Sequence, residues 1–586
     1  MSGLNTVETT VIVAGKRVHF VRLHLFQKFN THHHVEIEID YEEFGDKWME
    51  NPVKLINYIG ESINITMKHK QTGEENLFMG IVTNVSFSGY HGNQNSIIIT
   101  GASTTIKLDG KPAMDSFMDL SLQLIVQEAV SNSGNGGSVI AKPKFSSTLD
   151  YICQYNESCW DFLNRLSWQF GEWLFYDGLN CYFGLKYGDD TKLEYDREMT
   201  YFDLNANLSP QKFTRYQYLH HDGKEIEEND PLDVPGVRGY LKASKGRSES
   251  VYTSDVKIPL MPDVNTQKDL DDLVKAEKSR AVGEMLVVRG KTQTCKVKIG
   301  GVVTVRMPER MGILTSVDRF LVTEITHIVD QKGHYSNSFS GIVDGIEAIP
   351  MVEPKIPVAL PQIATVMSND DERRHGRVKV QTQWQKSKHK TTNWIRVQTP
   401  DAGSSDKVPN NRGLVTIPEK DDLVMLGFEY GDPSRPYVAG SIFSERISQG
   451  GGTGNSVKSM TTRSGSTVTF DDGKGSVLIK DKAGSESKII LDGEKNIQVE
   501  SDKSVDVNVG KGKCILHLQD DGTTTITAEN KIEFKVGGNI FTMTPDSTSL
   551  NTPTSVSIKS ANNSITGKNH ITGGNTKIDG GDVFVN

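Results

Sequence analysis

The stretch Ile497-Gln-Val-Glu-Ser-Asp-Lys-Ser-Val-Asp-Val507 places two apolar–polar–apolar triplets eight positions apart. The same spacing separates Thr524-Thr-Ile526 from Ile532-Glu-Phe534. Successive side chains of a strand point to opposite faces, so each triplet presents two apolar residues to one side. Small polar residues between the triplets suit turns. The pattern predicts a strand–turn repeat over residues 463–586 and no helices there.

A single strand of this repeat offers only about two apolar side chains to a core, too few to offset the entropy lost on ordering the chain. Two structures remain open: a disordered tail, or an intertwined β-helix in which several chains share one core. The regular apolar pairs favour the shared core. Such a rod would be stiff, which suits piercing, although an adhesive stalk is an alternative use.

Composition excludes several classes of protein. The 586 residues carry a net charge of −9, which opposes binding to a phosphate backbone. We interpret the local basic stretch Arg373-Arg-His-Gly-Arg377 as a solvated strand or loop. The five cysteines include no Cys-x-x-Cys pair, so neither a disulfide framework nor a zinc site is predicted. The start, Met1–Thr6, predicts no secretory signal, and no apolar run approaches the ~20 residues that span a bilayer.

The section before residue 345 mixes strands and helices. Val35-Glu-Ile-Glu-Ile39 alternates as a half-buried strand does, and Ile97-Ile-Ile99 indicates a more buried one. Apolar residues at helical spacing predict three packing helices, over 115–130, 158–170 and 266–285.

Two changes of composition divide the chain. Four prolines between Pro350 and Pro361 stiffen a connector, and Gly450–Gly454 suits a flexible one. The predicted parts are a section of mixed strands and helices at 1–348, a proline-rich linker at 349–361, a section of short strands at 362–446, a glycine-rich linker at 447–462 and the strand–turn repeat at 463–586.

Three segments carry specific motifs. The first is Gln154-Tyr-Asn-Glu-Ser-Cys-Trp-Asp-Phe-Leu-Asn-Arg-Leu166, a helix-opening stretch that Ser158 can cap. The second is His375-Gly-Arg-Val-Lys-Val380 with Trp384 and Trp394-Ile-Arg-Val397, and the third is residues 427–440, with Gly431-Asp-Pro-Ser-Arg-Pro436 at its centre. The last two are specific in combination, whereas Gly-Asp-Pro alone is only a good turn.

Together these segments resemble the VgrG proteins and the hub-and-spike proteins of contractile phage tails. By this resemblance residues 1–348 are a hub section, residues 362–446 a barrel and residues 463–586 a needle.

The resemblance implies a mainly β fold: an α+β hub of barrel-like subdomains, an oligomer-binding (OB) type barrel, and a C-terminal intertwined triple-stranded β-helix. It implies a homotrimeric, non-enzymatic central spike of a contractile injection system, with a pseudo-sixfold hub and a membrane-puncturing needle. The implied partners are an Hcp-like tube protein, baseplate proteins, a PAAR-type tip protein and carried effectors, with no nucleic acid. The chain would be made in a bacterial cytoplasm, assembled in the particle and delivered outside the cell or into a target cell.

The sequence also departs from the pattern of that family. Gln381-Thr-Gln-Trp-Gln385 and Ile417-Pro-Glu-Lys-Asp-Asp422 replace commoner endings of the barrel strands. The type of machine therefore stays open between type VI secretion, an extracellular injection particle and a phage-like tail.

We find no catalytic, cofactor or metal site in the sequence. His32-His-His34, with Glu36 and Glu38, is the best metal candidate, but consecutive strand residues alternate faces, so we expect an exposed polar strand start. Gly290-Lys-Thr292 lacks the upstream glycine of a phosphate-binding loop, and no Gly-x-Ser-x-Gly elbow occurs. The alternative function is a cell-wall hydrolase on a spike scaffold, with a carboxylate pair in the hub section.

The last residues contain no histidine that could bind a metal at a tip. We therefore expect a separate PAAR-type tip protein to dock there. Exposed apolar ends usually mark partners, and the predicted docking residues are Val583, Phe584 and Val585.

Overall fold

The computed structural model describes residues 6–40, 53–89, 95–186, 188–220, 222–308, 314–444, 451–482 and 487–562, and isolated residues between 564 and 574. The chain forms two compact units, 1–442 and 443–586. Strands make up 44% of the residues and helices 13%, so the predicted mainly β class is confirmed.

Seven strands and one short helix come first. They are β1 (Val7–Val13), β2 (Lys16–Val18), β3 (Arg22–Lys28), β4 (His34–Asp40), α1 (Val53–Ile56), β5 (Ser62–His69), β6 (Glu75–Gly89) and β7 (Asn95–Ser103). The predicted alternation holds in β4, where Val35, Ile37 and Ile39 are buried.

The next stretch of the chain places two helices among short strands. Its elements are β8 (Ala113–Ser121), α2 (Leu122–Asn132), β9 (Ile140–Ala141), β10 (Thr148–Glu157), α3 (Cys159–Phe170), β11 (Leu174–Tyr176) and β12 (Cys181–Phe183).

The rest of the hub section returns to the main sheet. Its elements are β13 (Asp190–Glu194), β14 (Met199–Ala206), β15 (Thr214–Leu219), β16 (Lys224–Asn229), α4 (Gly239–Val251), β17 (Lys257–Pro259), α5 (Gln267–Gly283), β18 (Leu286–Thr292), β19 (Val302–Pro308), β20 (Leu314–Asp330) and β21 (Tyr335–Val343).

Two of the three predicted helices are confirmed, as α3 and α5. Ser158 caps α3 by accepting from the Asp161 N–H at 3.0 Å, and Thr266 caps α5 in the same way at 3.2 Å. The predicted helix over 115–130 is wrong in its first half, because residues 113–121 form strand β8. Phe117 lies opposite Ile152 of β10, so inter-strand pairing overrides the helical spacing of the side chains.

The main sheet contains the same five-stranded antiparallel module twice. The first module orders its strands β3-β4-β7-β6-β5, over residues 22–103. The second orders β14-β18-β21-β20 with β19 beside β20, over residues 199–343. The two modules meet where β20 pairs with β3.

The two modules also share a bulge and a hydrogen bond made by the threonine inside it. Each has a bulge after a valine, between Val82 and Asn84 and between Val322 and Glu324. The threonine inside each bulge donates its hydroxyl across the hairpin, Thr83 to the Thr100 carbonyl at 3.2 Å and Thr323 to the Ser340 carbonyl at 3.4 Å.

A glycine stands opposite each bulge valine. A Cβ on Gly101 would lie 2.9 Å from the Ile81 carbonyl oxygen, and one on Gly341 would lie 2.5 Å from that of Leu321. The close approach of the two backbones therefore requires glycine at both places. One structural unit has been used twice in this hub.

The barrel section of the first unit is small and antiparallel. Its elements are β22 (Gln362–Ser368), β23 (Lys379–Thr382), α6 (Gln383–Lys386), β24 (Ala402–Gly403), β25 (Arg412–Gly413), β26 (Leu423–Phe428) and β27 (Pro436–Ser441). Four strands pair in the order β23-β22-β26-β27, and bridges from Val378 to Ile395 and from Val397 to Val438 extend the wall. The inward residues form a separate apolar core.

The second unit consists of short antiparallel strands. They are β28 (Val457–Thr461), β29 (Thr467–Asp471), β30 (Ser476–Lys480), β31 (Lys488–Leu491), β32 (Ile497–Glu500), β33 (Ser504–Val509), β34 (Cys514–Gln519), β35 (Thr524–Ala528), β36 (Ile532–Val536), β37 (Asn539–Met543) and β38 (Thr548–Asn551). Consecutive strands pair in groups of five, three and three. The predicted strand–turn pattern is confirmed in its described part.

Candidate functional site

The first family-like segment builds a buried ion pair. Glu157 ends β10 and Arg165 lies on α3, and their side chains form a two-pronged bridge at 2.7 and 2.8 Å. The Arg165 guanidinium also donates to the Cys153 carbonyl at 2.7 Å. Burial alone would lower the pKa of Arg165, but the hydrogen bonds to the Glu157 carboxylate and its negative charge raise it. The pair holds α3 against β10 in a fixed geometry.

The Gly-Asp-Pro-Ser-Arg-Pro turn fastens the barrel to the hub section. Within the turn, the Asp432 carboxylate accepts from the Ser434 N–H at 2.8 Å. The Ser434 hydroxyl then accepts from the Cys153 N–H of β10 at 3.1 Å. Arg435 reaches further into the hub section and donates to the Leu260 carbonyl at 3.1 Å. The turn therefore reverses the chain and also fastens the barrel to the hub section.

A second clamp joins the two sections through lysines. Lys388 and Lys390 both contact the Asp115 carboxylate of β8, at 2.6 and 2.9 Å. Lys390 also bridges to Glu128 of α2 at 2.8 Å. Burial alone would raise the pKa of Asp115, but hydrogen bonds from the two lysines lower it. These ion pairs hold the barrel against β8 and α2.

An open cleft of about 810 Å³ lies between barrel and hub section. His220, Asp263, Arg396 and Glu429 line it, and Arg396 forms an ion pair with Glu429. Burial and the nearby Arg396 lower the pKa of His220 to about 4, so this histidine is neutral at pH 7. Two carboxylates of this cleft face arginines: Glu429 pairs with Arg396, and Asp263 lies 3.4 Å from Arg435.

A smaller cavity of about 560 Å³, lined mainly by apolar groups, contains Glu172. The Glu172 carboxylate accepts from the Lys144 and Phe145 N–H groups at 2.7 and 2.8 Å. Burial raises its pKa to about 7. The two hydrogen bonds fix the loop that precedes β10, which gives this carboxylate a structural role.

The expectation of an exposed start at His32-His-His34 is wrong for two of the three residues. His33 is fully buried and lies 3.2 Å from the Gln27 side chain. His32 contacts the Thr105 hydroxyl at 2.8 Å, and its ring stacks on Trp160. The chain turns inward here because Ser103 of the neighbouring strand end accepts the His33 N–H. Over the described ranges, no three His, Cys, Asp or Glu side chains gather as a metal site would require.

Gln27 links the two modules through a buried polar chain that sequence reasoning missed. Its amide contacts His33 at 3.2 Å and His327 of β20 at 3.0 Å, and His327 contacts the Tyr335 hydroxyl at 2.6 Å. Burial lowers the pKa of His33 and of His327 to about 3. No local pattern pointed to this network, because its members come from both ends of the hub section.

The second unit has no core of its own in the part that the structure describes. None of its described residues is buried. Apolar residues on one face of its strands stay largely exposed: Ile497 is 74% exposed, Val507 51% and Val509 62%. The predicted tip residues Val583, Phe584 and Val585 lie outside the described residues.

Comparison with known proteins gives the context of these features. The family described as "Type VI secretion system/phage-baseplate injector OB domain" matches residues 362–443. The type VI secretion system spike protein VgrG1c of Pseudomonas aeruginosa is 28% identical over 181 residues, which are 28% of this chain and 23% of that protein. The actin cross-linking toxin VgrG1 of Vibrio cholerae is 32% identical over 116 residues, 19% of this chain and 10% of the toxin.

Among solved structures, the lidded PdpA–VgrG complex of Francisella contains a chain of similar fold. The TM-score is 0.53 at 9% identity, over 84% of this chain and 79% of that one. The matches to VgrG1c and the toxin span less than a third of either relative. Residues 362–443 thus match the injector OB domain of type VI secretion systems and phage baseplates, in a chain that is similar to the spike protein VgrG1c over 28% of its length.

Proposed function

We propose that this chain is the central spike of a contractile injection system and works as a homotrimer. The observation that carries the proposal is the second unit, whose strands are regular although no described residue is buried. Apolar faces of this kind are stable only when another surface covers them. Three chains wound around one axis would supply that surface and form an intertwined needle.

The duplicated module supports the same assembly at the other end of the chain. Three copies with two modules each would place six equivalent modules in a ring. A pseudo-sixfold ring is the symmetry that an Hcp-like tube would need from a trimer beneath it. The charged clamp between hub section and barrel would transmit the thrust of contraction without bending.

The proposed parts are those expected from composition: hub 1–348, linker 349–361, barrel 362–446, linker 447–462 and needle 463–586. Baseplate proteins and effectors would bind around the hub. A PAAR-type protein would cap the needle at Val583, Phe584 and Val585. Deletion of 580–586 should abolish capture of a PAAR protein, and undiminished capture would contradict this docking site.

We propose a structural role without catalysis, and the way in which two carboxylates of the described hub section are used supports it. Glu157 pairs with Arg165, and Glu172 holds backbone amides. The matched P. aeruginosa proteins are named as spike proteins, and the matched V. cholerae protein is a toxin. We propose that any toxic activity of the particle comes from carried effectors, and that the spike itself is assembled in the bacterial cytoplasm and delivered outward. Among the described residues, no helix is long and apolar enough to cross a membrane.

The solution mass of the full chain tests the proposal. We expect a particle of three times 64.9 kDa, with an elongated thin end in electron micrographs. A monomer at micromolar concentration would contradict the spike.

A further inference from the structure

The junction between the two modules of one chain shows how modules join. Beyond its bulge, the second half of β20 pairs with β3, so that Ile325 lies opposite Gln27. Glu324 of β20 forms an ion pair with Lys28 of β3 at 2.9 Å. Each module therefore offers two edges: its long bulged strand and the strand at the start of its order.

Among the described strands, none pairs with the corresponding edges at the other ends of the two modules. On the long strand of the first module, β5 covers β6 only as far as Ile81, which lies opposite Ser62. Among the described strands, none pairs with Asn84–Ser86 on the edge away from β7. The first strand of the second module, β14, stands at the end of the sheet with β18 as its neighbour.

The side chains of β3, which β20 covers, are also more deeply buried than those of β14, which stands at the end of the sheet. In β3, the inward side chains of Leu23, Leu25 and Gln27 are buried, because β20 covers that edge. Leu204 of β14 corresponds to Leu25 of β3. Leu25 lies opposite Val35, which pairs with Gly101, and Leu204 lies opposite Val288, which pairs with Gly341.

The β14 counterparts of those buried residues are more exposed. Phe202 and Leu204 are only half-buried, and Ala206 is exposed. The side chains of β14 therefore follow the pattern of those in β3. Among the described strands, however, none pairs with the outer edge of β14 as β20 pairs with β3.

A single chain does not bring these two edges together. Along the sheet, β14 and β6 stand seven strand spacings apart, which at ~4.8 Å each is about 34 Å. A second copy of the chain, in contrast, presents the matching edge with the same shape as the internal junction. Because the two edges differ, the contact between copies is head-to-tail, and such contacts close into a ring when the rotation from copy to copy divides a full turn, as it does in a trimer.

We propose that β6 of one copy pairs antiparallel with β14 of the next copy, at the register of the internal β20–β3 junction. That register places Asn84 opposite Asn207, Val85 opposite Ala206 and Ser86 opposite Asn205 of the neighbouring copy. The pairing joins backbone edges directly, as when a strand is added to an open sheet. It rests on the trimer proposed above and specifies how the hub ring is closed.

Disulfide cross-linking of the full chain tests the register. In a Cys514→Ser background, which removes the exposed native cysteine, the variant Asn84→Cys/Asn207→Cys places two thiols directly opposite each other between copies. Opposite Cα atoms lie about 4.5–5.5 Å apart, within the range of a disulfide. The matched control Ser86→Cys/Asn207→Cys keeps the same face but is two residues out of register, where the separation is about 7–8 Å.

We expect mild oxidation to convert most of the in-register variant into reducible dimers and trimers, and at least tenfold less of the control. Light scattering on the same samples separates the two proposals. A trimer that forms no in-register cross-link, or cross-links the control equally well, overturns the pairing and leaves the spike standing. A monomer, with or without an internal disulfide, overturns both.

Discussion

In β4 of the first unit, Val35, Ile37 and Ile39 alternate with charged residues and are buried by the same chain. In β33 of the second unit, Val505, Val507 and Val509 alternate with polar residues in the same way, and none is buried. The two strands share one pattern of side chains but differ in whether the apolar side chains are buried. Alternation determines which face of a strand will be covered, but what covers it depends on the sheets and chains around it.

The difference indicates two sources of stability. The first unit has large apolar cores, a buried ion pair and a buried histidine network within one chain. The described second unit has backbone pairing, surface ion pairs such as Lys488–Glu500, and exposed apolar faces, but no buried residue, so we expect its order to depend on its neighbours. Changes in the second unit should therefore alter assembly, whereas changes in the first should alter the folding of each chain.

The largest effect is expected for Val507→Asp in the needle. In a trimer the substitution would place three carboxylates in the shared core, and each would cost several kcal/mol without a partner. The variant should lose the trimeric mass and become sensitive to trypsin after residue 443. Asn508→Asp, one residue along on the other face, is the control and should remain trimeric. Equal behaviour of the two variants would contradict the shared core.

A smaller, local effect is expected for Arg165→Ala in the hub. The change leaves the Glu157 carboxylate buried without its partner and should lower the free energy of unfolding by about 3–5 kcal/mol. The control is Arg197→Ala, which removes an exposed pair with Glu194 and should cost about 1 kcal/mol or less. All six tryptophans lie before residue 442, so their fluorescence in urea reports the first unit. Equal losses in both variants would contradict the role of the buried pair.

The smallest effect is expected from acid, and it should be confined to the first unit. His33 and His327 have a pKa of about 3 when folded, below the usual value of 6.5, so their stabilising contribution is complete above pH 6.5 and is lost as pH falls towards 3. Between pH 7 and pH 5 each should cost about 2 kcal/mol. Glu172 acts in the opposite direction, because its raised pKa of about 7 makes the folded state more stable as pH falls from 7 towards 4.5.

Between pH 7 and pH 5, the free energy of unfolding of Glu172→Gln should fall by about 2 kcal/mol more than that of the unchanged protein, because the variant lacks the opposing contribution. Tryptophan fluorescence in urea at the two pH values measures this difference. A variant whose pH dependence matches that of the unchanged protein would contradict the assigned state of Glu172.

Several features of the candidate site could be predicted from short stretches. Ser158 and Thr266 cap their helices as expected, and the Gly-Asp-Pro motif at residue 431 forms the turn that its sequence predicts. The partners of that turn could not be predicted, since Ser434 meets Cys153 across most of the first unit. The tip residues Val583, Phe584 and Val585 remain a prediction.

By itself the sequence determined the elements whose cause is local. Period-two alternation produced the strands of both units, and side-chain caps placed the starts of α3 and α5. Only the tertiary structure decided that residues 113–121 form a strand, that His33 is buried, and that one five-stranded module occurs twice. The physical reason is that pairing across a sheet and burial depend on residues far away in the chain, whereas a cap or an alternation is complete within a few positions.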